Sequence, residues 1–151
     1  MAEPSIRELI LVAIQLRVAA IVTPIKVNRA LRHDEAAVQV DERPAVRILD
    51  RGDSARRHVR LAWECVMRVE LQLLLREASR DNRPRVLTDA LQALDAAIVA
   101  DGTWGGLAVK TDFTGASLSQ GEAVEPLASV TRTMEVRYRV NRFDPTVMAE
   151  V

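Results

Sequence analysis

The chain contains few of the residues from which catalytic, metal-binding and disulfide-stabilised sites are built. Its 151 residues include one cysteine, two histidines, two tryptophans, two phenylalanines and one tyrosine. The single cysteine, Cys65, excludes an intramolecular disulfide, and the aromatic residues are too scattered to form a base-stacking platform. Twenty-one basic residues balance 21 acidic ones. Because a dedicated nucleic-acid binder normally carries a basic excess, this balance argues against that class.

Residue groups that could support catalysis are isolated or interleaved with opposite charge. His33 stands beside Asp34 and Glu35, without a second cluster at ligand spacing. His58 stands among arginines, which favours a structural or interfacial role. Four further acids lie among arginines and are predicted to form surface ion pairs: Asp41, Glu42, Asp50 and Asp53. We therefore expect no enzyme, no metal and no cofactor.

Trp104-Gly105-Gly106 is the most conspicuous glycine-containing motif in the chain. It lacks the glycine spacing and the Lys-Ser/Thr of a phosphate-binding loop. It also follows a predicted helix, whereas a phosphate-binding loop precedes one. The motif is therefore interpreted as a tight turn anchored by its tryptophan.

The most regular pattern in the chain runs from His58 to Arg76. Every odd position from Val59 to Leu75 is apolar, and most even positions are charged or polar. Because side chains alternate between the two faces of a strand, this pattern predicts a strand with one buried face. We expect it to be the central strand of an antiparallel sheet, with Cys65 buried, preceded by a turn at Arg51–Ser54.

The remaining sequence predicts two helices and several further strands. Ser5 and Glu8 form a capping box for the first helix. The second helix begins near Pro84 and is predicted to end at Asp101-Gly102, with the glycine in the left-handed conformation. Further strands are predicted at Ala45–Asp50, Leu107–Phe113 and Ala128–Asn141.

These elements predict an α+β fold, with a mainly antiparallel sheet and two helices packed on one face. We expect one domain over residues 1–151, carrying polar arms at 30–43 and 114–127. The apolar run Ile6–Val22 is interrupted by charged residues and is short for a membrane span. No secretory signal accompanies it, so an intracellular protein without a membrane partner is expected.

The outward faces of the two long strands are the candidate interaction surface. One interpretation is an ordinary solvated sheet face, on which opposite charges pair across strands. The other is a charged seam between subunits, where charge patterning sets partner choice and register. The candidate interface residues are Arg60, Glu64, Arg68, Glu70, Arg137 and Arg139.

The second half of the chain resembles the tail terminator proteins of long-tailed bacteriophages and of phage-like gene transfer agents. The resemblance is carried by LDAAIVADGTWGGLAVKTDF (Leu94–Phe113) and EPLASVTRTMEVRYRVNRFDP (Glu125–Pro145). In that family a helix closes before a glycine-containing turn and a strand. A variable loop then leads to a terminal strand with an aromatic-basic pattern and an Asp-Pro near the C-terminus.

The resemblance implies a structural virion protein that assembles in the host cytoplasm. Such a protein forms a homo-oligomeric ring, typically a hexamer, at the head-proximal end of the tail. It stops polymerisation of the major tail tube protein and offers the surface that joins the head–tail connector protein. DNA passes through the lumen without specific binding, which is compatible with a chain of zero net charge.

Two other classes remain open at this point. The chain could be another head–tail connector or neck component, which binding to tube protein or to portal and adaptor proteins would distinguish. It could also be a small enzyme or ligand-binding domain, which predicts a deep pocket lined by convergent titratable groups.

Overall fold

The computed structural model describes residues 4–23, 25–32, 43–75, 83–119, 128–141, 144–146 and 148. Two helices and five strands follow one another along these residues. They are α1 (Ile6–Ala19), β1 (Arg29–Leu31), β2 (Ala45–Val59), β3 (Ala62–Leu74), α2 (Arg83–Val99), β4 (Lys110–Ser119) and β5 (Ser129–Asn141). This content confirms the predicted α+β fold.

The strands form one sheet in the order β1-β2-β3-β5-β4. β1 pairs with β2 in parallel, and every other pair is antiparallel. β3 lies at the centre of the sheet, as predicted. Its antiparallel ladders with β2 and β5 bring together residues far apart in the sequence.

Both helices pack on one face of the sheet. Asp50 stands opposite Val69 in the β2–β3 ladder, and Arg132 stands opposite Leu71 in the β3–β5 ladder. Val69 and Leu71 share one face of β3 because their positions differ by two. Arg7 of α1 binds Asp50, and Asp95 of α2 binds Arg132, so both helices lie over that face.

The core forms between this face and the helices. From Cys65 to Leu75 every odd position is buried, which confirms the predicted alternation. Cys65 is 4% exposed, as predicted for a buried side chain. Alternate residues of β5 complete the layer, and they are Val130, Met134, Val136, Tyr138 and Val140.

The long strand predicted at 58–76 is interrupted by a turn. His58 and Val59 belong to β2, and the chain reverses at Arg60 and Leu61 before β3 begins. Arg60 adopts a φ of 52°, the left-handed conformation that two-residue hairpin turns require. Leu61 is apolar and so continued the alternating pattern in the sequence. In the structure it lies in the turn and is 70% exposed.

The predicted turn at Arg51–Ser54 is wrong, because β2 continues through it. The β2–β3 register shifts between Asp50 and Asp53 and again between Asp53 and Ala55. Such shifts are β-bulges, which accommodate an extra residue without reversing the chain. Gly52 has a φ of 84° and supplies the left-handed residue that a bulge of this kind uses.

The predicted helix starts are confirmed, but the predicted C-cap is wrong. Ser5 Oγ accepts a hydrogen bond from Glu8 N at 3.1 Å, and Pro84 lies in the first turn of α2. The backbone of Gly102 does not adopt the left-handed conformation that was predicted for it. Instead Trp104, Gly105 and Gly106 have φ values of 55°, 75° and 88°.

The two predicted polar arms are partly strand. Ala30 and Leu31 pair with β2, and residues 114–119 belong to β4, which begins three residues later than predicted and runs further. A bulge between Phe113 and Gly115 keeps β4 paired with β5 through its polar residues. The remaining arm residues, 33–42 and 120–127, lie outside the described residues.

Candidate functional site

The face of the sheet opposite the helices, here called the open face, carries most of the predicted interface residues. It includes the even positions of β3 and the odd positions of β5, which face away from the core, and the residues of β2 and β4 that stand opposite them. Glu64, Arg68, Glu70, Arg137 and Arg139 lie on it. Arg60 does not, because it occupies the β2–β3 turn.

Glu64 is the buried member of this set. It is 4% exposed although neither helix covers the open face. Arg139 Nε donates to its carboxylate at 2.8 Å, an Arg57 guanidinium nitrogen lies at 3.0 Å, and Arg137 Nε lies at 3.9 Å. We call these three guanidiniums around Glu64 the arginine cluster.

Burial of Glu64 alone would raise the pKa of its carboxyl. The hydrogen bond from Arg139 and the charges of Arg57, Arg139 and Arg137 outweigh burial, so the net pKa lies below its ordinary value. Glu64 is therefore ionised at neutral pH and holds the three arginines in place. Arg57 was not among the predicted interface residues. It stands opposite Glu64 because β2 and β3 pair as a hairpin, and the predicted strand boundaries did not place it there.

Two further ion pairs lie on the open face. Arg51 binds Glu70 at 3.2 Å, and Lys110 binds Asp112 at 3.2 Å. Arg68 stands directly opposite Glu135 in the β3–β5 ladder. The arginine cluster instead sets three guanidiniums against one carboxylate, near the β2–β3 turn.

The helix-side surface at the same end of the hairpin is also basic. The Arg56 guanidinium lies 4.2 Å from the centre of the Trp63 ring, and the His58 ring packs edge-on against the same tryptophan at 5.2 Å. These stacked contacts stiffen the end of the hairpin. His58 therefore packs within the hairpin, and its structural or interfacial role stays a prediction.

Asp50 and Asp53 form ion pairs, as predicted, but with a partner from another element. Both bind Arg7 of α1, whose pKa is raised chiefly by its hydrogen bond to Asp50. These contacts fasten the start of α1 to the bulged part of β2. His33, Asp34, Glu35, Asp41 and Glu42 lie outside the described residues.

Trp104-Gly105-Gly106 forms a turn anchored by a buried tryptophan, as predicted. Trp104 is 2% exposed, its Nε1 donates to Thr111 Oγ1 at 2.8 Å, and the Arg17 guanidinium stacks 3.9 Å from its ring centre. The Asp101 carboxylate accepts from Thr103 Oγ1, Gly105 N and Thr103 N at 2.6, 2.8 and 2.9 Å. These bonds lower the pKa of Asp101 to about 2. The turn therefore ties α2, α1 and the start of β4 together.

The surface of α2 carries an open groove lined by Thr88, Leu91, Gln92, Asp95, Ala96 and Val99. Its single titratable group, Asp95, is engaged by Arg132 through two hydrogen bonds of 2.7 Å. Among the described residues no group of three or more His, Cys, Asp or Glu side chains could hold a metal ion. Within the same residues neither helix is long and apolar enough to cross a membrane.

Comparisons with known proteins leave the chain without an assigned family. No protein-family profile and no curated protein matches it. Among solved structures it is similar to a chain of the virion of a native gene transfer agent particle, with 10% identity and a TM-score of 0.44. That likeness covers 84% of this chain and 92% of the other. At this TM-score it establishes neither fold nor function for the present chain.

Proposed function

We propose that this chain is a structural virion protein of the tail terminator type. It forms a ring at the head-proximal end of a phage-like tail, stops growth of the tube and presents the surface that the head–tail connector binds. The open face of the sheet supports this proposal most directly. It is a broad charged surface without convergent catalytic groups among the described residues, and such a surface suits contacts with other proteins.

The positions of the family-like segments are consistent with this role. Leu94–Phe113 contains the end of α2, the Trp-Gly-Gly turn and the start of β4, in the helix–turn–strand order typical of the family. The second segment contains β5, whose Arg137 and Arg139 belong to the arginine cluster. The residues that carry the resemblance therefore include part of the proposed contact surface.

The sheet also suits assembly into a ring. A closed ring of identical subunits needs heterologous contacts, in which two different surfaces of the subunit meet. The two edges of the sheet differ, because β4 forms one edge and the three-residue β1 covers only the start of β2 at the other. We propose that the open face, together with segments 30–43 and 114–127, contacts neighbouring subunits and the tube.

A capping assay tests the proposed function. Tube protein from the same genomic neighbourhood is polymerised with and without the full chain, and tube lengths are measured by electron microscopy. Short tubes, each closed at one end by added density, support a terminator. Unchanged tube lengths together with capture of the chain by portal or adaptor proteins would instead identify a connector or neck component.

A further inference from the structure

The arginine cluster forms because its members and Glu64 lie on three adjacent strands. Arg57 and Arg139 both stand directly opposite Glu64, one on each side, so their Cα atoms lie roughly 10 Å apart across the sheet. Arg137 lies two residues before Arg139 on the same face, roughly 7 Å away along β5. The three side chains therefore approach one point on the open face from three directions.

The Glu64 carboxylate forms hydrogen bonds with two of the three guanidiniums. Arg57 Nε donates to Glu64 Oε1 at 3.1 Å, and Arg139 Nε donates to Glu64 Oε2 at 2.8 Å. Arg137 Nε lies 3.9 Å from Oε1, beyond hydrogen-bond distance, and it is buried without a hydrogen-bond partner among the described residues. A planar carboxylate presents its lone pairs in one plane, so it does not meet donors that approach from three directions.

The cluster also carries more positive charge than Glu64 cancels. Arginine stays protonated in proteins and Glu64 is ionised at neutral pH, so three guanidiniums and one carboxylate leave two positive charges. Lys110 stands opposite Arg137, but its ammonium is bound to Asp112 at 3.2 Å. That pair adds no net charge beside the cluster. The anion that balances the cluster is therefore a doubly charged one.

We propose that the arginine cluster binds a terminal phosphate group, as free phosphate or as the 5′-phosphate of a DNA strand. Such a group carries a charge of about −1.5 to −2 at neutral pH and three acceptor oxygens. Its tetrahedral oxygens can accept from Arg57, Arg137 and Arg139 together, and guanidinium forks match phosphate geometry. Glu64 is a positioning residue, because it holds two of the arginines from beneath. The inference goes beyond the proposed function and depends on neither ring nor tube.

Two titrations of the full chain test the site. Calorimetric titration with inorganic phosphate, with chloride keeping the ionic strength constant, measures binding of the free group. Fluorescence anisotropy compares two labelled single-stranded DNA decamers of one sequence, one with a 5′-phosphate and the other with a 5′-hydroxyl. We expect saturable phosphate binding and about tenfold tighter binding of the phosphorylated decamer. Phosphate binding without a preference between the decamers would identify free phosphate as the ligand, and the converse would identify the DNA end.

Two matched variants locate the site. Arg137→Gln removes the guanidinium that Glu64 leaves without a hydrogen bond, and it keeps both hydrogen bonds of Glu64. It is expected to weaken phosphate binding about tenfold and to remove the preference for the phosphorylated decamer. Arg85→Gln removes the same charge from an exposed position on α2 and is expected to change neither. If circular dichroism shows that Arg137→Gln is unfolded, Arg57→Gln replaces it, because the Arg57 side chain is 70% exposed.

Two results would overturn the proposal. The first is equal binding of the two decamers together with no binding of inorganic phosphate, which would mean that charge alone attracts the DNA backbone. The second is unchanged binding by the folded Arg137→Gln or Arg57→Gln variant. Because neither titration needs a ring or a tube, a chain that caps tubes but fails both titrations overturns only this site. A chain that binds phosphate but does not cap tubes overturns only the proposed function.

Discussion

Arg139 Nε donates a 2.8 Å hydrogen bond to the Glu64 carboxylate across the β3–β5 ladder, on the face of the sheet that the helices leave uncovered. Glu64 is 4% exposed, whereas the side chains of Arg57 and Arg137 are 70% and 39% exposed. The carboxylate thus lies beneath the arginines that it holds. The positive charge of this surface is therefore held in fixed positions.

The first prediction concerns that carboxylate. Glu64→Gln leaves three guanidiniums close together without their shared counter-charge. We expect it to lower the free energy of unfolding by about 1–3 kcal/mol, less than for a fully buried pair because water screens the exposed arginines. Urea denaturation measures the loss. Asp112→Asn is the control, since it removes a carboxylate whose pair with Lys110 is half exposed, and it should cost under about 1 kcal/mol. Equal losses would show that Glu64 is an ordinary surface residue.

The second prediction concerns acid stability at the Trp-Gly-Gly turn. The folded-state pKa of Asp101, about 2, lies below the ordinary value of 3.8. A depressed carboxyl pKa stabilises the fold above the unfolded-state value, and the stabilisation is lost as pH falls from about 4 to about 2. Asp101→Asn should therefore lower Tm near neutral pH, and the difference from the parent should shrink through that interval. A Tm difference that stays constant between about pH 6 and pH 2 would contradict this.

The third prediction uses two glycines that differ in backbone conformation. A Cβ added at Gly52 or at Gly115 would meet no heavy atom within 4 Å, but only Gly52 has a left-handed φ, of 84°. Gly52→Ala should therefore cost about 1–2 kcal/mol through backbone strain. Gly115→Ala should cost nothing measurable or slightly stabilise the fold. Thermal denaturation of the pair tests whether the β2 bulge needs its glycine, and equal Tm values would show that it does not.

The fourth prediction concerns the one charged residue on the buried face of β5. Arg132 is bound by Asp95 through two 2.7 Å hydrogen bonds, and its guanidinium lies 4.4 Å from the centre of the Phe113 ring. A double-mutant cycle with Asp95→Ala and Arg132→Met should give a coupling energy of about 1–3 kcal/mol. The exposed Lys110–Asp112 pair, measured in the same way, should give under about 1 kcal/mol. A coupling no larger than that of the surface pair would mean that Asp95 does not hold α2 on the sheet.

Strand alternation made much of this fold predictable. The buried odd positions of β3 and the buried face of β5 follow directly from the period of two, and Ser5 marked the start of α1. The sequence could not distinguish a turn from a β-bulge at Arg51–Ser54, because both structures can use a glycine with a left-handed φ, as Gly52 has. Arg60 gave no signal for the β2–β3 turn, since arginine rarely adopts that conformation and the apolar pattern continued through Leu61.

The candidate site was only partly predictable for a related reason. Five of the predicted interface residues share the open face because they alternate along two strands that pair directly. Arg57 was missed because it reaches Glu64 from the neighbouring strand, and strand partners cannot be read from one sequence when the turn is misplaced. The burial of Glu64 was likewise not visible, because a glutamate between apolar residues on a strand ordinarily faces water.

We propose that this chain closes into a ring of identical subunits on a tail tube. Native mass spectrometry of the full chain, alone and after mixing with the tube protein, tests it most directly. We predict a single closed oligomer, a hexamer, in the presence of tube protein, whether or not the isolated chain assembles. A chain that remains monomeric both alone and with the tube protein would contradict the proposal.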